Sequence, residues 1–205
     1  MEEYLVPTAF GEDEFIEKKS RFIGRVWPVE TEEAALEKIQ EMKKKHYDAT
    51  HNCWAYIIKD GAVRFSDDGE PGGTAGMPML QVLQREGLFN VVCVVTRYFG
   101  GVLLGTGGLV RAYTTATARA LENAEVVTVR SVVELSVTVD YSLYERASLL
   151  IDAAGAKQAA PQFTDRVTLC WQMPEHTEGP LLEQLRELTR GGAQVHVSEP
   201  FYAPF

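Results

Sequence analysis

Cysteine is scarce in this chain: Cys53, Cys93 and Cys170 are the three present. They are odd in number, far apart and set in apolar strand-like runs, which argues against a disulfide framework and for reduced, buried thiols. A complete zinc site is also missing: His51 and Cys53 could supply half of one, but there is no C-x-x-C pair and the remaining His46, His176 and His196 show no ligand spacing. No uninterrupted apolar run reaches the length of a membrane span, so no membrane partner is expected. The amino-terminal stretch "MEEYLVPTAFGEDEF" has no basic segment followed by an apolar one, hence no secretory signal, and a cytoplasmic address is expected. Excess positive charge is lacking as well. Lys and Arg number 20 against 29 Asp and Glu, a formal net charge of −9. That balance opposes indiscriminate binding to nucleic acid or anionic lipid, though it leaves room for a local basic patch. Most cations lie early: residues 1–130 carry 15 basic and 19 acidic side chains, residues 131–205 only 5 and 10.

What is present is ordinary globular composition, 45% hydrophobic and 24% charged over 205 residues, enough for one large domain or two small ones. "RFIGRVWPV" alternates as a strand. "TEEAALEKIQEMKKK" reads as a helix with Thr31 as N-cap, acids in its first turn, lysines in its last, and Ala35, Ile39 and Met42 on its buried side. "HNCWAYIIKD" and "AVRFSDD" read as strands joined at Asp60-Gly61. "PMLQVLQREG" is expected to be a short helix opening on Pro78 and closing at Gly87. "NVVCVVT" is the most buried-looking strand, and "RYFGGVLLGTGG" leads from it into a helix whose Ala112, Ala116 and Ala120 can pack closely on a sheet. From about Val129 the order becomes β-α-β-β-α-β, with "AKQAAPQF" and "AQVHVSEPFY" each taken as a single strand, which is the split βαβ, ferredoxin-like arrangement. The expected domains are therefore 1–129 and 130–205, and the expected class is α+β.

Candidate chemistry concentrates in two glycine-rich stretches. In "RFSDDGEPGGTAGMPML", Asp67, Asp68 and Glu70 can hold Mg²⁺ through one or two oxygens, or can turn a corner by bonding nearby amides. His51 and Cys53 share a strand face and can form an imidazole–thiolate pair, against which stands a satisfied histidine beside a buried cysteine. "GVLLGTGG" and "GTGGLV" match neither the P-loop nor the dinucleotide fingerprint. Even so, a glycine-rich segment feeding a helix presents free N–H groups to an anion, and Pro78 implies a second such helix start. Arg97 and Arg111 flank the later loop and suit phosphate oxygens. Tyr98 and Phe99 suit stacking on unpaired bases, or the core, where aromatics after a buried strand more often lie. Lys18, Lys19, Arg21 and Arg25 form the densest basic segment outside the first helix, a solvated strand edge on the plain reading.

"EKKSRFIG", "DATHNCWAY", "SDDGEPGGTAGMPML" and "VVTRYFGGVLLGTGGLVRAY" occur in the order and character of the IMPACT family, which the chain resembles over nearly its whole length. The resemblance implies that residues 1–129 take the fold of the second domain of ribosomal protein S5. It implies that the C-terminal part is ferredoxin-like, similar to the last domain of elongation factor G. It implies a non-enzymatic role in translational regulation, with RNA or a ribosomal or translation component as partner and protein partners besides. Catalytic residues, metals and cofactors are not expected. A counterpart of the extra N-terminal partner-binding domain of eukaryotic members is not seen, so their particular regulatory role is not carried over. The expected ligand or nucleic-acid contacts are His51, Asp67, Asp68, Glu70, Gly73, Thr74, Arg97, Tyr98, Gly100, Gly101, Gly105, Thr106, Gly107 and Arg111. The alternatives are a Mg²⁺-using phosphate- or nucleotide-binding enzyme and a protein-interaction module.

Overall fold

The computed structural model describes residues 3–205, so Met1 and Glu2 of the acidic amino-terminal stretch lie outside it. The chain divides into two compact units, Tyr4–Thr128 and Val129–Phe205, the latter including Glu3. The class is α+β, as expected.

The first unit contains β1 (Tyr4–Pro7), β2 (Gly11–Glu17), β3 (Ser20–Pro28), α1 (Glu32–Lys45), β4 (His51–Ile57), β5 (Val63–Ser66), α2 (Gly76–Arg85), β6 (Val91–Tyr98) and α3 (Thr106–Glu122). Its five-stranded antiparallel sheet runs β2-β3-β6-β4-β5. Strand β6 is central and buried on both faces, which is why "NVVCVVT" reads as a continuous apolar run. Cys93 and Val95 face the core shared with α2 and α3, while Val92 and Val94 face Ile39 and Met42 of α1. Thr31 caps α1 by accepting from the Ala34 N–H at 3.2 Å, and the charges at both helix ends follow the dipole.

Helix α3 lies close on the sheet. A side chain at Gly24 would meet the Ala116 carbonyl at 2.3 Å, and one at Gly11 the Ala120 carbonyl at 2.2 Å. The small residues of α3 and these two strand glycines are thus one packing device. Helix α2 starts earlier than Pro78: Gly76 is its first residue and Pro78 its third, a position still free of intrahelical N–H bonding. At its end Gly87 is left-handed (φ 67°), with Gly87 N bonded to Gln84 O and Leu88 N to Leu83 O, a Schellman closure.

The second unit contains most of the long β7 (Val126–Val139), then α4 (Tyr141–Ala153), β8 (Lys157–Gln158), β9 (Gln162–Phe163), β10 (Val167–Pro174), α5 (Gly179–Leu188), β11 (Val195–Val197) and β12 (Phe201–Pro204). β10 lies between β7 and the pair β8 and β9, while β11 and β12 pair with β7, all antiparallel. This is the ferredoxin-like order, with two corrections. "AKQAAPQF" and "AQVHVSEPFY" each form two short strands, because Pro161 and Pro200 interrupt the ladder where an N–H would be needed. Alternate residues Val133, Leu135 and Val137 of β7 and Leu169, Trp171 and Met173 of β10 make the core with α4 and α5.

Candidate functional site

One end of the first unit collects nearly every residue singled out in the sequence. The strand register puts Tyr98 opposite Arg21 and His51 opposite Arg97, so the start of β3, the start of β4 and the end of β6 meet there. The end of α1 joins them, with His46 Nδ1 2.8 Å from Tyr98 Oη and Lys43 Nζ donating to Asp68 at 2.7 Å. The starts of α2 and α3 complete the surface.

The acidic loop between β5 and α2 is held from within. Asp67 accepts from the Gly73, Ala75 and Gly76 N–H groups at 2.8, 3.0 and 2.8 Å. It therefore occupies the start of α2, so the second free helix start expected at Pro78 is already filled by the chain's own carboxylate. Thr74 is buried and donates to the Pro71 carbonyl at 2.6 Å. Asp68 accepts from Lys43 and, at 2.7 Å, from the Asn52 N–H. His51 Nδ1 lies 2.8 Å from the Asp68 carbonyl, and Cys53 Sγ donates to the Asp67 carbonyl at 3.0 Å, so these two strand neighbours each bind the loop rather than each other. Burial pushes the Cys53 thiol far above its ordinary range.

Glu70 is the centre of this end. It is 7% exposed, and its Oε1 accepts from Arg97 Nη1 and from Tyr113 Oη, both at 2.7 Å; His51 Nε2 stands 3.6 Å from Oε2. Burial holds the Tyr113 hydroxyl well above its ordinary value and so keeps it a donor. One carboxylate thus ties the loop to β4, β6 and α3. Arg97 is 5% exposed, also donates to Ser20 Oγ at 3.3 Å, and lies between the rings of Phe22 (5.5 Å) and Phe99 (5.4 Å). Its guanidinium is committed inside the protein, which the alternation of β6 implies once Arg97 is counted on the same face as Cys93 and Val95.

The open part lies in the other loop. Gly101 and Gly105 are exposed and left-handed (φ 82° and 74°), and Gly105 caps α3 without any side-chain bond. Thr106 and Gly107 follow, exposed; a side chain at Gly107 would come 3.6 Å from Arg111 Nη1, so that guanidinium turns back over the first turn. Gly100 sits against β3's approach, since a side chain there would overlap the Lys19 carbonyl. Phe99, whose place after a buried strand favours the core, is instead 44% exposed. Arg25 departs the other way. It is buried at 4%, paired with Glu12 and 3.3 Å from Thr96 Oγ1, and is no part of a solvated edge.

Residues missed in the sequence lie at the same end: Lys44 and Lys45 at the close of α1, and Tyr47, 85% exposed. The run "KKKHY" carries a signal for them, but it reads first as a helix end complementing its dipole.

A two-unit α+β chain with this sheet and this glycine-loop end is of a known kind. The model of the Impact N-terminal domain matches residues 18–121, and that of a domain of unknown function matches residues 137–191. The chain belongs to the IMPACT family. It is 36% identical over 201 residues to the IMPACT family member YvyE of Bacillus subtilis, covering 97% of this chain and 93% of that one. A solved structure titled a hypothetical protein is 33% identical, with a TM-score of 0.60, over 97% of this chain and 98% of that one. The mouse Protein IMPACT is 37% identical over 109 residues, 50% of this chain and 34% of that protein.

Proposed function

We propose that the protein is a non-enzymatic binder of RNA or of an RNA-bearing translation component, and that it binds through the loop end of its first unit. The observation that carries this reading is the gathering there of Lys18, Lys19, Lys44, Lys45 and Arg111, all exposed and without an ion pair among the described residues, around exposed Tyr47 and Phe99. Cations with interleaved aromatics are what a nucleic-acid surface requires, and they give a local positive field on a chain whose net charge is −9. The open backbone of Gly100, Gly101, Gly105, Thr106 and Gly107 lets a phosphate strand approach closely. Tyr98 braces the α1 side, while His51, Asp67, Asp68, Glu70, Gly73, Thr74 and Arg97 hold the surface in shape. The commitment of the three carboxylates to backbone amides, Lys43, Arg97 and Tyr113 supports a scaffolding role for them over acid–base or Mg²⁺ chemistry.

The test is fluorescence anisotropy with labelled RNA across a salt series. Lys44→Glu with Lys45→Glu should weaken binding, and the plot of log affinity against log salt should flatten by about one per cation removed. Unchanged affinity and slope in the folded variant would overturn the assignment.

A further inference from the structure

We infer that the ring of Phe99 is a stacking platform for an unpaired base of single-stranded RNA, whose phosphates are drawn across the Lys18-Lys19 turn. The inference rests on the RNA reading above and adds to it the kind of strand that is bound.

Phe99 is unusual in being both exposed and fixed. Its own N–H donates to Thr50 Oγ1 at 3.0 Å, and the Thr50 N–H donates to the Arg97 carbonyl at 2.9 Å, so the backbone is pinned on both sides. Behind the ring the Arg97 guanidinium lies at 5.4 Å, itself held by Glu70 and Ser20 and backed by Phe22. The stack Phe22, Arg97, Phe99 runs from core to surface, and its last ring is 44% exposed. A ring already ordered by the fold costs little further entropy when a base stacks on it.

Beside the platform, the Gly100 backbone abuts that of Lys19. Lys18 and Lys19 form the two-residue connection between the paired residues Glu17 and Ser20, with φ of 45° and 67°. Asn and Gly serve such a turn at far lower cost, because a Cβ crowds the left-handed region. Both lysines are exposed and gain no ion pair in return among the described residues. Backbone strain kept at two adjacent free cations points to side chains retained for a ligand. Cations take phosphate and a free aromatic face takes a base. In a duplex the base faces are stacked away, so the combination selects a single strand. Val102 and the 81% exposed Leu103 extend the apolar surface beside the ring.

The experiment uses the full chain, a labelled mixed-sequence RNA of roughly 16 nucleotides, and its blunt duplex. Wild type should bind the single strand about tenfold more tightly than the duplex. Phe99→Ala should lose about tenfold on the single strand with its salt slope unchanged, Phe99→Trp should keep it, and neither should alter duplex binding. Lys18→Asn with Lys19→Gly should raise the thermal midpoint while lowering both affinity and salt slope. Equal binding of single strand and duplex, or full single-strand affinity in a folded Phe99→Ala variant, overturns the platform and leaves the RNA reading standing. Absence of salt-dependent binding to either RNA by wild type overturns both.

Discussion

Glu70 shows how one buried charge can organise a surface it does not share in. Its carboxylate neutralises Arg97 and receives Tyr113, and Arg97 in turn backs the exposed Phe99. Replacing Glu70 by Ala strands the guanidinium in the interior, a loss expected to cost about 3–5 kcal/mol. Urea unfolding should read that loss, and the double variant with Arg97→Ala should recover part of it, because the uncompensated charge is then gone. The thiols make a second prediction at this scale. Burial pushes Cys93 up to about 12 and Cys53 higher still, whereas Cys170 is only half-buried. Only a thiolate reacts, so iodoacetamide at pH 8 should label Cys170 first and leave the other two until the chain unfolds, as mass spectrometry of timed samples would reveal.

Among the elements, the packing of α3 on β2 and β3 is the most exacting. Gly24→Ala would drive a methyl group into the Ala116 carbonyl, a backbone contact that cannot swing aside, and a loss of roughly 1–3 kcal/mol in unfolding free energy is expected. Local signals made this part of the fold legible: Thr31 and the end charges of α1, the alanine period of α3, and Gly87 after α2. The broken strands of the second unit were less so, since Pro161 and Pro200 in otherwise apolar runs can mark an edge or an interruption. At the candidate site, residue types pointed to these loops but not to the contacts their side chains make. Arg97 reads as a phosphate ligand and is a buried strut, while Phe99 reads as core and lies at the surface. Which side of β6 is covered at its last turn depends on α2 and the acidic loop, which are distant in sequence. The Lys18-Lys19 turn was illegible for another reason. Its strain appears only in φ, and Asn-Gly in its place should gain about 1–2 kcal/mol.

The described residues form two sheets, and the proposed nucleic-acid surface lies at one end of the first unit. Ferredoxin-like sheets that read RNA do so with aromatics on their two central strands. Here the face of β7 and β10 that alternates with the core carries Ser136, Thr138, Thr168, Cys170 and Gln172, with Thr138 and Thr168 hydroxyls bonded to each other at 2.9 Å. On that face these two central strands offer hydrogen bonds and no aromatic ring. Thr138→Ala combined with Gln172→Ala should therefore leave RNA affinity within about twofold of wild type, a change near the usual effect of a surface substitution. The charge distribution sharpens the comparison, because the 75-residue stretch from 131 onward has twice as many acids as bases and would repel a phosphate strand. Two readouts then separate the surfaces. If RNA lies on the loop end, the slope of affinity against salt should fall when Lys44 and Lys45 are removed, and the affinity should hold when Thr138 and Gln172 are replaced. An affinity that falls with the second sheet while the slope ignores Lys44 and Lys45 would move the binding surface to the other unit.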